Sequence, residues 1–177
     1  MIEGNLTMEK SIIIFASSRS DGNTFAATKL VRDNIHESLF LDLANYTVSD
    51  FDYNHKNKND DFMQIIKEIL NYKTIILATP IYWYTMSASM KRFVDRLSDL
   101  LSTNKGTGRL LRNKNLAVIT SYSIHPEGKD GFEPIFINTT KYLGMNYLGC
   151  YFHYAGDDKK ITEGNLALLS KFIDCLN

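Results

Sequence analysis

This sequence predicts an α/β protein with a parallel sheet, and three observations carry that expectation. Four apolar runs, SIIIFA (11–16), SLFLDL (38–43), TIILAT (74–79) and NLAVITS (115–121), read as strands. Three of them are apolar almost without interruption, the pattern of strands covered on both faces. Between the runs, apolar residues recur at helical spacing, so strand and helix alternate along the chain. With 177 residues, the chain suits one domain with a sizeable core.

The elements follow in order. After the run at 11–16, Ala27, Leu30, Val31 and Ile35 share one helical face. The run at 38–43 is the weakest strand. The stretch that follows it, ANYTVSDFDYNHKNKN (44–59), is polar and unpatterned, which predicts a surface connection. A second helix shows Phe62, Ile65, Ile66, Ile69 and Leu70, with Asp60 or Asp61 as its N-cap. A third carries Met90, Phe93, Val94, Leu97 and Leu101. Pro134 suits the first turn of a fourth helix and Gly144 its C-terminal cap. MNYLGCYFHYAG (145–156) is longer and more polar, as an edge strand is. Leu169, Phe172, Ile173 and Leu176 mark the last helix.

Lysine plus arginine equals aspartate plus glutamate, 20 against 20, so no overall field favours nucleic acid. No apolar run approaches the roughly 20 residues of a membrane helix. The first ten residues, MIEGNLTMEK, lack a signal-peptide pattern and read as a loose leader before a domain at 11–177. Cys150 and Cys175 make neither a disulfide framework nor a usual zinc site. Both read as buried, inert thiols, and a reducing cytoplasm fits them.

Ligands of open α/β sheets bind beyond the carboxyl ends of the strands, where the winding switches. The first loop there is FASSRSDGNTFAA (15–27), which runs from strand into helix. A helix N-terminus offers unpaired N–H groups and a positive dipole end to an anion. Ser17, Ser20 and Thr24 add hydroxyls, Asn23 an amide and Arg19 a cationic fork. Gly22 permits a tight turn, and Thr24 suits the N-cap. An ordinary polar turn uses the same residue types, so the composition leaves two readings. The chain has no G-x-x-x-x-G-K-[ST] or G-x-G-x-x-G motif here, no cysteine nucleophile and no carboxylate pair for magnesium. A loop of neutral donors plus one arginine suits keeping a phosphate rather than transferring it.

The second loop, TPIYWYTMSASMKRFVDR (79–96), places Tyr82, Trp83 and Tyr84 after the strand-ending Pro80. Aromatics at a ligand-binding edge predict a flat partner, with N–H groups of residues 82–87 available to its polar rim. A core plug or a dimer interface is the alternative. The third loop, TSYSIHPEGKDGF (120–132), offers Tyr122 and His125, and His125 lacks partners at metal spacing. A phosphate cradle beside a stacking platform describes a site for a flat ring joined to a phosphate, and FMN fits it.

Taken together, these stretches resemble the NADPH-dependent FMN reductase branch of the flavodoxin-like superfamily. The first matches the family pattern G-S-P-R-x-x-G-N-T at Ser17, Arg19, Gly22, Asn23 and Thr24. The second matches T-P-x-Y-W-x-x-x-S-A-x-x-K-x-F-x-D-R at Thr79, Pro80, Tyr82, Trp83, Ser87, Ala88, Lys91, Phe93, Asp95 and Arg96. Ala16 and Ser18 replace the family's glycine and proline, and Tyr84 stands where many relatives have glycine. The four-cysteine cluster of the iron–sulfur flavoproteins is absent, which excludes that sub-branch.

The resemblance implies a flavodoxin-like three-layer sandwich with a five-stranded parallel sheet in the order 2-1-3-4-5. It implies noncovalent FMN, its phosphate on Ser17, Arg19, Ser20, Asn23 and Thr24. Pro80, Ile81, Tyr82, Trp83, Tyr84 and Met86 would line the ring, with Ser121 and Tyr122 from the third loop. NAD(P)H would be the electron donor and a flavin, quinone, azo compound or nitroaromatic the acceptor, in a cytoplasmic homodimer. No side chain is nominated as a catalytic acid or base, and i, i+4 pairing accounts for Lys91 with Asp95. Two other readings stay open, a single-electron carrier and a non-catalytic FMN-binding redox module. Balanced charge is less suited to the carrier, which gains from a steering field.

Overall fold

The computed structural model describes residues 11–123, 128–156 and 161–176. Strands β1 (Ser11–Phe15), β2 (Ser38–Asp42), β3 (Thr74–Ala78), β4 (Asn115–Tyr122) and β5 (Asn146–Tyr154) pair in parallel. Their order is β2-β1-β3-β4-β5, the flavodoxin-like order expected. Helices α1 (Asn23–Arg32), α2 (Phe62–Ile69), α3 (Ala88–Asp95), α4 (Asp99–Ser102), α5 (Lys105–Arg109), α6 (Gly128–Leu143) and α7 (Glu163–Leu176) join and cover the strands.

The uninterrupted apolarity of the central strands has a direct cause. Ile12, Ile14, Ile75, Leu77, Leu116 and Val118 pack with side chains of α2, α3 and α6. Ile13, Phe15, Ile76, Ala78, Ala117 and Ile119 pack on the opposite face with α1 and α7. Successive strand residues point to opposite faces, and here both faces are covered. At the β5 edge the register slips beside Gly149, whose φ is +133.

Several boundaries differ from the sequence expectations. Helix α1 ends at Arg32, so Ile35 packs from the following turn. Pro134 lies inside α6, because the helix begins at Gly128 in a stretch without apolar periodicity. Gly144, at φ +70, follows α6 in the left-handed conformation of a helix-ending glycine. The third stripe breaks after Asp95 into a 3₁₀ turn (Arg96–Ser98), which rotates Leu100 into the core and leaves Leu101 exposed. Asp61 is positioned as the cap of α2, but its carboxylate accepts from the Thr47 N–H. Cys175 is exposed rather than buried. Burial, with Glu133 adding to it, pushes the Cys150 thiol well above its ordinary range. The leader at 1–10 and His125 lie outside the described residues.

Residues 44–59 are more than a connection, because Arg96 ties them down. Its buried guanidinium donates to Asp99 Oδ2 (2.7 Å), to the Ser49 carbonyl (3.2 Å) and to both oxygens of Asp60, and lies 4.6 Å from the Phe62 ring centroid. Burial pushes the Asp60 carboxyl up, but Arg96 and the N–H groups of Ser49 and Phe62 outweigh it and hold it below the ordinary value. Lys91, by contrast, meets Asp95 at 2.6 Å on an exposed helix face. Arg96→Met should cost about 3–5 kcal/mol in urea unfolding, since it strands two buried carboxylates. Adding Asp60→Asn to that variant should restore part of the loss.

At the other edge, Asn165 clamps Tyr154, accepting from its N–H (3.0 Å) and donating to its carbonyl (2.8 Å). Nearby, His153 Nδ1 meets the Tyr151 hydroxyl at 2.9 Å. Burial lowers the His153 pKa and raises that of Tyr151 to about 12. The native state therefore resists a proton that the unfolded chain accepts at the ordinary histidine value near 6.5. The melting temperature should fall as pH drops below about 6.5, and His153→Gln should flatten that part of the profile in thermal scans.

Candidate functional site

Phe15, Ala78 and Ile119 are paired across the three central strands, and β4 runs three residues further, to Tyr122. From β1 the chain winds outward to β2, then returns to β3 and winds the other way, so the switch lies between β1 and β3. Beyond the strands the ladder continues, from Ala16 N–H to the Ala78 carbonyl (2.9 Å) and from Ile81 N–H to the Ser121 carbonyl (3.2 Å). Pro80 and Ile81 are thereby carried alongside β4. A cleft of about 160 Å³ opens here. Ser17, Arg19, Gly22, Asn23 and Thr24 form one wall, Pro80, Ile81 and Tyr82 the second, and Ser121, Tyr122 and Ser123 the third.

Helix α1 points its N-terminus into this cleft. Its cap is Gly22, which has no side chain to bond the first-turn N–H groups. Among the described residues, Arg19 is the one charged side chain of the lining. A buried knot behind the walls holds them in register. Ser87 Oγ donates to the Ala16 carbonyl (2.9 Å) and accepts from the Met90 N–H (3.3 Å), while the Ser87 N–H donates to Thr79 Oγ1 (3.0 Å).

The profile of the NADPH-dependent FMN reductases matches residues 10–157, most of the chain, including every wall of the cleft. The chain belongs to this family. Its members are FMN-dependent oxidoreductases with NAD(P)H as electron donor. Among curated proteins, the chain is 36% identical over 99 residues to YwqN of Bacillus subtilis strain 168, named as an NAD(P)H-dependent FMN-containing oxidoreductase. The match covers 52% of this chain and 54% of YwqN, so the chain spans about half the length of that relative. Among solved structures, the Trp repressor binding protein from Bacillus subtilis has a TM-score of 0.70 at 25% identity, covering 94% of this chain and 97% of that one. An NADPH-quinone reductase from P. pentosaceus shares the fold, with a TM-score of 0.65, 19% identity, and coverage of 96% and 98%.

The FMN reductase motifs divide between the cleft and its scaffold. Ser17, Arg19, Asn23, Thr24, Pro80, Ile81, Tyr82, Ser121 and Tyr122 meet around the cleft. Ser20 does not, because its hydroxyl donates to Asp42 Oδ2 (2.6 Å) and braces the loop against β2. Met86 is buried in the core beneath α3. Thr24 is not the N-cap but a residue of the first turn, and its hydroxyl shares a 2.8 Å hydrogen bond with that of Ser121. Gly22 has ordinary backbone angles, φ −84 and ψ −169, so no turn here requires a glycine, and a Cβ would meet the Arg19 side chain only at contact distance, 3.5 Å. Of the N–H groups expected to face a ring, those of Tyr82, Thr85 and Ser87 are already bonded within the protein. Ser123 was not anticipated, since one more serine in a polar loop carries no signal of its own.

Trp83 and Tyr84 lie on the rim, 93% and 62% exposed. They are the central pair of a tight hairpin, in which Tyr82 and Thr85 exchange backbone hydrogen bonds of 2.8 and 3.1 Å. Both have positive φ, +48 and +66, the signature of a turn that prefers Asn-Gly. Two large aromatics in that conformation are strained. Tyr84→Gly should raise thermal stability by about 1 kcal/mol in reversible melting, relief of strain exceeding the added entropy of the unfolded chain.

Proposed function

We propose that this chain binds FMN in the cleft and uses it to pass electrons from NAD(P)H to a small aromatic acceptor, a flavin, quinone, azo compound or nitroaromatic. One observation carries the reading: an uncapped helix N-terminus with an arginine, hydroxyls and an amide faces a strained aromatic turn across a cleft at the winding switch. The residues present fit FMN. Ser17, Arg19, Asn23 and Thr24 supply donors and positive charge for its phosphate, and the enclosed volume suits that end of the ligand. Pro80, Ile81, Tyr82 and Tyr122 would flank the ring, which extends to the open rim where Trp83 and Tyr84 stand.

Bound FMN supplies hydride acceptance and electron release. The chain's own part is to orient the partners and stabilise negative charge through fixed N–H and hydroxyl donors. Overall, two electrons and a proton leave NAD(P)H as hydride, and the acceptor gains two electrons and two protons, the second from solvent. A homodimer in the cytoplasm is the assembly we infer, supported by the large aromatics exposed at the rim. Light scattering checks the dimer.

The purified holoprotein should absorb in the visible as a flavoprotein and bleach when NADPH is added without oxygen. Asn23→Ala with Thr24→Ala should weaken FMN binding at least tenfold while leaving the far-ultraviolet circular dichroism unchanged. A yellow protein that neither NADPH nor NADH bleaches would overturn the enzymatic reading and leave a carrier or sensor.

A further inference from the structure

We infer that Lys129 and Tyr122 form an anion-selective subsite for the electron acceptor, so that the preferred substrates are planar aromatics with an acidic substituent. The inference rests on the proposed function and narrows its substrate class. Tyr122 is a wall of the cleft, and Lys129, in the first turn of α6, holds its ammonium nitrogen 4.2 Å from the Tyr122 ring centroid. The same nitrogen lies 5.6 Å from the Phe152 ring. Two rings thus steer the cation beside the cleft.

No carboxylate among the described residues pairs with Lys129. Glu133, one turn along α6, instead accepts from the Tyr147 hydroxyl (3.0 Å). The described lining of the cleft has no carboxylate and already includes Arg19. The described charge of the lining is therefore positive, with Lys129 adding to it from behind Tyr122. Tyr154 is tilted against Tyr122, with ring centroids 5.5 Å apart. A flat ring is served by the aromatics, and an anionic group on it by the ammonium.

The test compares 1,4-naphthoquinone-2-sulfonate with 2-methyl-1,4-naphthoquinone in the holoenzyme, using NADPH and then NADH. Wild type should favour the sulfonate, and 0.5 M NaCl should reduce that preference. Lys129→Met should lower kcat/KM about fivefold for the sulfonate alone, with FMN content unchanged, and Lys129→Arg should retain the preference. Trp83 is the chain's only tryptophan, so its fluorescence reports binding without turnover. Titration of the holoprotein without NAD(P)H should show the same loss of sulfonate affinity in Lys129→Met. Equal effects on both quinones, or none, would overturn the inference, as would a change confined to the NADPH-to-NADH ratio. If wild type reduces neither quinone, quinones are struck from its acceptors, while the fluorescence titration still decides the anion preference.

Discussion

One buried hydroxyl, that of Ser87, holds the two halves of the cleft together. It reaches back to the Ala16 carbonyl just after β1 and caps the first turn of α3, and its own N–H rests on Thr79 just after β3. Two of the three walls start beside these points, Ser17 following Ala16 and Pro80 following Thr79. A group 2% exposed and bonded to several elements cannot be lost cheaply, because each partner left behind is a desolvated polar atom. The phosphate-type loop and the aromatic turn belong to different strands and are nonetheless held in fixed register.

That constraint explains how the family motif is used. Thr79, Ser87 and Arg96 are among its matched residues, and all three are buried. Thr79 and Ser87 set the cleft's frame, while Arg96 fastens the 44–59 loop to the segment after α3 through Asp60, Asp99 and the Ser49 carbonyl. Ser20 acts alike, bracing its loop on Asp42 instead of facing the cleft. Only part of the family motif therefore lines the cleft. The rest supplies the rigidity against which small donors become a preorganised site.

The outermost part of the site is built on different terms. Trp83 and Tyr84 occupy a turn that glycine and asparagine suit better, and they gain little burial in return. Strain of this kind persists where the surrounding bonds over-determine the backbone, here the Tyr82–Thr85 pair and the strand extension at Ile81. A rim with exposed rings stands beside a cleft whose described charge is positive.

Much of this was legible in the sequence. Unbroken runs such as SIIIF and TIILA determine burial on both faces, and that determines a helix-covered parallel sheet. The donor-rich loop before α1 and the aromatics after β3 are local compositions, readable because chemistry and spacing sit within a few residues. Bonds between distant segments were not readable. The sequence shows a serine at 20, 87 and 123 alike, yet one braces β2, one is the buried knot and one lines the cleft. Periodicity likewise assigned Leu101 to the core, because it does not register the 3₁₀ turn that puts Leu100 there instead. The sequence by itself determined the layers and the kind of ligand. Tertiary structure alone decided which small polar groups line the cleft, because the direction of a hydroxyl is set by partners as many as 97 residues away.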